Sequence, residues 1–153
     1  ALDVETFDLL RLEAGRPVFP TDMDQDTIPL EAGIEDRAIS LNKGCYVGQE
    51  VIVRILHRGQ GRVARRLVGL WFDPNDVTPT AGDALTTPDD LSGKPIGILT
   101  SVGCSPVLER PIAFGYVKRE LAEVGTELVV LGLEHHVRGV VTVGPFLTLP
   151  RFG

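Results

Sequence analysis

The hydrophobic pattern of the chain changes period near Gly59. Ahead of that point, Val51, Ile52, Val53, Ile55 and Leu56 fall at helical spacing, which predicts a helix opening near Val47 or Gly48 and closing at Gly59. A shorter helix is predicted at the start, capped by Asp3 or Thr6, with Val4, Phe7, Leu10 and Ala14 as its apolar positions and Gly15 as its end. That helix is expected to be docked rather than free. Between the two, from Gly15 to Asn42, prolines, acids and short apolar clusters alternate without a sustained period. The stretch reads as a long irregular connection through Pro17, Pro20 and Pro29, with Ile28, Leu30 and Ile34 pinned to a core and the rest forming the rim of a ligand cleft.

After Gly59-Gln60-Gly61 the period shortens to that of strands. Leu67, Val68, Leu70 and Phe72, with Trp71 among them, form a strong strand that ends at the turn Asp73-Pro74-Asn75-Asp76. Further short strands are predicted over 84–86, 96–102, 112–117, 127–131 and 137–143, with one helical turn over 118–122. Five or six strands at this interval suggest a closed or nearly closed antiparallel barrel. The expected class is α+β, mainly β, with residues 1–58 preceding a C-terminal barrel over 59–153.

A chain of 153 residues can bury one core, or a small domain and a fragment of another. Its hydrophobic share of 43% and charged share of 24% are those of an ordinary globular protein. No run is long and apolar enough to suggest a membrane span, and no basic-then-apolar leader opens the sequence, so a cytoplasmic protein is expected. The net charge of −6 argues against direct nucleic-acid binding through a basic surface. The charge is unevenly spread. Asp22, Asp24, Asp26, Glu31, Glu35 and Asp36 crowd one segment, and Arg54, His57, Arg58, Arg62, Arg65 and Arg66 another, where they form a solvated face or receive an acidic ligand tail.

Several chemistries are disfavoured by spacing. The alternation of Asp22, Asp24 and Asp26 lacks the glycine and the distal glutamate of a calcium loop. Adjacent His135 and His136 would point to opposite faces of a strand and cannot share an ion, so no metal site is expected. Two cysteines, Cys45 and Cys104, make neither a metal motif nor a disulfide scaffold, and Cys104 reads as structural. The one histidine near Cys45 is His57, twelve residues on, which along a continuous helix lies too far away for a nucleophile and base. Gly44 and Gly48 are not followed by the Gly-Lys-Ser/Thr of a phosphate-binding loop.

The densest candidate chemistry is the octet Lys43-Gly44-Cys45-Tyr46-Val47-Gly48-Gln49-Glu50. A helix start rich in glycine presents free N–H groups and the positive end of the dipole, which holds an anion or lowers the pKa of a thiol, with Lys43 adding charge. The same residues also fit a tight turn into a core helix with Cys45 as a small buried hydrophobe. Glu13 is the second candidate. It falls in the last turn of its helix, where the dipole disfavours a carboxylate, so it is either a surface acid or a ligand group.

The octet resembles the signature of the YgfZ-type folate-binding proteins, relatives of the glycine cleavage T-protein and of mitochondrial iron-sulfur assembly factors. Leu10-Arg11-Leu12-Glu13-Ala14-Gly15 is similar to a segment shared by both branches, and 97–106 and 110–117 are similar to the superfamily's small terminal barrel. The resemblance implies that 1–58 is the C-terminal part of a folate-binding α+β domain and that the chain belongs to a longer protein. It implies tetrahydrofolate as the ligand, Glu13 facing the pterin, and Cys45 with Lys43 as a functional thiol. Tyr46, Gln49, Arg54 and Arg58 are the further candidates along the cleft. A carboxylate suits the ring because it accepts paired hydrogen bonds from the pterin amide and exocyclic amine. The function expected first is a non-hydrolytic accessory protein that serves iron-sulfur client enzymes, including those that modify tRNA. The alternative is a tetrahydrofolate-dependent aminomethyltransferase of the T-protein type, which moves a one-carbon unit from a lipoyl-bound aminomethyl group to the folate. Whether the chain is itself an enzyme, and its oligomeric state, stay open at this point.

Overall fold

The computed structural model describes residues 3–40, 44, 48–57, 62–92, 94–132, 135–142, 146 and 147. Among the described residues four helices, α1 (Val4–Glu13), α2 (Pro29–Ala32), α3 (Glu35–Ala38) and α4 (Gln49–His57), precede six strands: β1 (Arg65–Phe72), β2 (Ala84–Thr86), β3 (Gly97–Ser105), β4 (Arg110–Lys118), β5 (Glu127–Leu131) and β6 (His136–Thr142). A 3-10 turn, Arg119–Leu121, links β4 to β5. The strands close into an antiparallel barrel in the order β1-β4-β3-β2-β5-β6, with β6 returning to β1 through the pairs Gly69–Thr142 to Phe72–Gly139. The expected mainly-β barrel is therefore present, and the predicted strands lie within a few residues of those observed.

Alternation fills the barrel. Val68, Leu70 and Phe72 of β1 point inward to meet Leu85, Leu99, Ala113, Val117, Leu128, Val130 and Val141, and each of these is buried. Phe72 is seated over Gly139, where a Cβ would come within 2.7 Å of the ring. Full burial of side chains of this size stabilises by roughly 1.5–3 kcal/mol each, so the inward rows supply most of the driving force. Strand β4 breaks the alternation, because every residue from Pro111 to Val117 is buried. Its outward Ile112 and Phe114 are covered by Leu12 of α1, and Tyr116 lies under the segment that follows α1, donating its hydroxyl to the carbonyl of Asp22.

The structure corrects three expectations about local packing. The spacing of Val4, Phe7 and Leu10 predicted a buried stripe, yet these are 77, 56 and 48% exposed, and α1 docks instead through Arg11, Leu12 and Glu13. The barrel offers buried acceptors and hydroxyls to that face, so polar groups can go inside fully bonded. The connection from Gly15 to Asn42 is not wholly irregular, since α2 and α3 interrupt it. Leu30 and Ile28 pack with Ile52 and Ile55 of α4 and with Val63 as expected, whereas Ile34 is only half-buried. Cys104 is exposed rather than packed, because it points outward near the end of β3. Among the described residues no helix is long and apolar enough to cross a membrane.

Candidate functional site

The polar groups of the molecule converge on the seam between α1 and β3. Helix α1 starts there because Asp3 caps it: Oδ1 accepts from the N–H of Thr6 at 2.7 Å and Oδ2 from its hydroxyl at 3.1 Å. These bonds hold the Asp3 carboxyl below its ordinary range. The helix stops at Glu13, with Gly15 in the left-handed region at φ 67° turning the chain back toward the barrel.

That turn delivers Asp22 to Arg11. The Arg11 guanidinium donates to Asp8 Oδ1 at 2.9 Å, Asp22 Oδ2 at 2.6 Å and Ser101 Oγ at 2.9 Å. Asp22 is 1% exposed, and its remaining acceptor sites are taken by the N–H of Val18 (3.0 Å) and the hydroxyls of Thr100 and Ser101 (both 2.6 Å). A register shift between Leu99 and Ser101 presents two consecutive hydroxyls of β3 to a single carboxylate oxygen, which a regular strand could not do because neighbours face opposite ways. A buried ion pair is tolerated on these terms alone, with every donor and acceptor matched.

Tyr116 completes the network. Its hydroxyl reaches the Asp22 carbonyl at 2.9 Å, and the Arg65 guanidinium lies 4.5 Å above its ring while Nε of Arg65 donates to Glu31 Oε2 at 2.9 Å. Burial raises the Tyr116 pKa, with the Arg65 charge opposing the shift. One turn along the seam, Glu13 is 4% exposed and accepts from Ser105 Oγ at 2.5 Å, while Ser105 itself accepts from the N–H of Leu108 at 3.1 Å. The Glu13 carbonyl accepts the N–H groups of Phe146 at 2.9 Å and Leu147 at 3.2 Å. Glu13 is thus neither a surface acid nor loosely held.

Beside this seam a cleft of about 450 Å³ opens between α1 and β3, walled by Asp8, Arg11, Leu12, Thr100, Ser101 and Cys104 among others. It offers fixed donors and acceptors over an apolar floor, which suits orientation of a polar ring or chain by hydrogen bonds. Among the described residues no histidine lines it and no group of three metal-ligating side chains occurs.

The residues expected at one site are not all visible together. Glu13 faces Ser105 inside the seam. Gln49 is half-buried at the start of α4, and Arg54, on the exposed side of that helix, is paired with Glu50 at 2.8 Å. Helix α4 packs on Leu30 and Val63 rather than on α1. Lys43, Cys45, Tyr46 and Arg58 lie outside the described residues. Arg11, Asp22, Ser101, Ser105 and Tyr116 escaped sequence reasoning as functional positions. The one local signal was Thr100-Ser101 and Ser105 on a single strand, with two buried serines four residues apart on one face.

Residues 65–147 match the family described as the glycine cleavage T-protein C-terminal barrel domain. The chain is 34% identical over 144 residues to an aminomethyltransferase of Rippkaea orientalis, covering 94% of this chain and 37% of that protein. It is 36% identical over 143 residues to the mitochondrial aminomethyltransferase of Solanum tuberosum, covering 92% of this chain and 33% of that one. The glycine cleavage system aminomethyltransferase T from Bartonella henselae superposes with a TM-score of 0.79 at 30% identity, over 92% of this chain and 37% of its own. The chain therefore spans about a third of the length of the relatives it matches. These relatives overturn the expectation of a YgfZ-type accessory protein serving iron-sulfur clients. The octet drew that reading from eight residues, whereas likeness across more than nine-tenths of the chain leads to proteins named aminomethyltransferase.

Proposed function

Since the chain belongs to the glycine cleavage T-protein family through its C-terminal barrel domain, we propose that it forms the C-terminal part of a tetrahydrofolate-dependent aminomethyltransferase. The observation that carries this reading is the 34–36% identity over 92–94% of the chain to proteins of that name. The proposed reaction moves a one-carbon unit from a lipoyl-bound aminomethyl group to tetrahydrofolate. In this reading residues 1–58 complete the folate-binding domain and 59–153 form the barrel, a division supported by the change of hydrophobic period near Gly59. A cytoplasmic place of action is part of the proposal.

The chain's own contribution is to position. The Arg11–Asp22–Ser101 network locks α1 and its following segment to β3, so that whatever the outer segments present is held on a rigid wall. Glu13 is proposed as the acceptor for pterin N–H groups, with its Oε1 already oriented by Ser105. Lys43, Cys45, Tyr46, Gln49, Arg54 and Arg58 are proposed as the further folate-site residues, with the basic members toward the acidic tail of the folate and Cys45 as the functional thiol.

Calorimetric titration of the full-length protein with tetrahydrofolate tests the ligand. The wild type is expected to bind saturably, and Glu13→Ala roughly 10- to 100-fold more weakly, the worth of a charged hydrogen bond. A melting curve taken beside each titration separates loss of the ligand contact from loss of the seam. Unaltered affinity in a folded Glu13→Ala variant would remove Glu13 from the site, and an inert wild type would remove the folate.

A further inference from the structure

Helix α1 is apolar on two opposite sides. Leu9 and Leu12 face the barrel so closely that a Cβ at Gly103 of β3 would stand 3.0 Å from one and 3.2 Å from the other. Val4, Phe7 and Leu10, at i, i+3 and i+6, line the far side and are 77, 56 and 48% exposed. A helix that meets one layer alone keeps its outer side polar, whereas apolar residues on both sides mark a helix packed between two layers. Among the described residues only the first layer is present, formed chiefly by β3 and β4. Their other large exposed apolar side chains, such as Val51, Trp71, Val77 and Leu91, fall singly on separate segments, which is ordinary for a protein surface. Val4, Phe7 and Leu10 share one face.

The length of the relatives indicates what supplies the second layer. Only 33–37% of each is matched by this chain, and the shared barrel is C-terminal by its description, so the remainder precedes it. Helix α1 is the first element of the chain, and a segment running into it arrives at the cap Asp3, one residue before the exposed Val4. A body tethered there faces the stripe at an effective concentration of about millimolar. A free partner has no such help. Three part-exposed side chains fall far short of the roughly 800 Å² that each member of a stable complex buries, which disfavours a second copy on this stripe.

We propose that Val4, Phe7 and Leu10 seat an apolar face of the upstream portion of the full-length protein, so that α1 is packed between that portion and the barrel. The existence of an upstream portion rests on the aminomethyltransferase reading. Glu5 and Asp8, the latter one turn beyond Val4, line the cleft of about 450 Å³. A body on the stripe therefore stands beside that cleft and adds a wall to it, which makes the ligand site a joint product of both parts.

Hydroxyl-radical footprinting of the full-length protein, read residue by residue by mass spectrometry, tests this. Leu10 and Leu91 are matched probes, the same residue type at 48 and 47% exposure. Leu10 is expected to react at least about tenfold more slowly than Leu91, as for a contact open a tenth of the time or less. Val4 is expected to fall below Val77, although its exposure of 77% exceeds the 56% of Val77. Phe7→Asp, which puts a charge into the contact, is expected to bring Leu10 up to the rate of Leu91, and Phe7→Ser repeats the test if the charged variant does not fold. Equal rates for Leu10 and Leu91 in the folded wild type overturn the proposal. So does protection that fades on dilution to monomer, because a second copy then covers the face, and so does protection seen only with tetrahydrofolate bound. A natural protein no longer than these 153 residues overturns it as well. Protection without folate-dependent ammonia release upholds the docking and defeats the transferase reading, whereas release with an open stripe does the reverse.

Discussion

Asp22→Ala is expected to lower the stability of the chain by roughly 3–5 kcal/mol, the cost of leaving a buried charge without its partner. At the size of this protein that corresponds to a melting temperature lower by about 10 °C. The effect is large because the carboxylate is the centre of the seam. Its removal takes from the Arg11 guanidinium, which is 9% exposed, its buried partner and leaves it the half-exposed Asp8, and also deprives the hydroxyls of Thr100 and Ser101 and the N–H of Val18 of their acceptor. Asp22→Asn keeps the shape but turns an amide N–H toward Arg11 or Val18, so it should recover little. Paired replacement of Arg11 and Asp22 by Met and Leu should cost less than the sum of the single changes, since neither leaves the other unpaired. Urea unfolding of the wild type, Arg11→Met, Asp22→Leu and the double variant gives the coupling directly. Additive losses, or an Asp22→Ala loss within about 0.5 kcal/mol of zero, the range of an ordinary surface substitution, would mean that the network does not hold the seam.

Gly97→Ala is expected to be nearly as damaging, by about 3 kcal/mol, at the upper end for an overpacked core. A Cβ at this position would stand 2.2 Å from the carbonyl oxygen of Tyr116, across the β3–β4 pairing, and 3.2 Å from Leu85. The obstacle is backbone, so relief requires the two strands to part where Gly97 pairs with Val117. Gly69→Ala is the control: the nearest atom there, 2.8 Å away, belongs to the Phe146 ring, which can turn. Its loss should be clearly smaller. Strand β3 also carries Ser101 and Ser105, so amide exchange in α1 should accelerate in Gly97→Ala but not in Gly69→Ala. Equal losses in the two variants would contradict the account of the pairing.

The barrel was legible because its strands obey a period of two and end in strong turns. Leu70 and Phe72 alternate with Trp71, and Asp73-Pro74-Asn75-Asp76 stops the strand where the structure stops it. The seam was not legible, for a reason that lies in long-range partners. Arg11 reads as a solvated charge on α1 and Asp22 as one acid among several in a loop. Nothing local reveals that they meet, nor that Ser101 and Ser105, about ninety positions away, satisfy Arg11 and Glu13. Val4, Phe7 and Leu10 misled in the opposite direction. Their helical spacing marks an apolar face correctly, but spacing cannot say whether that face meets the barrel or the outside. The octet at Lys43 to Glu50 misled on function because eight residues distinguish branches of a superfamily less well than the whole chain does.

The central claim, a part in folate-dependent aminomethyl transfer, is tested most directly by turnover. The full-length protein is mixed with an aminomethylated lipoyl carrier, and ammonia release is followed with and without tetrahydrofolate. Release that rises at least about a hundredfold on addition of tetrahydrofolate, with methylenetetrahydrofolate formed in equal amount, is the predicted result, and it lies well inside the range of enzymatic acceleration. Release that does not respond to tetrahydrofolate would contradict it.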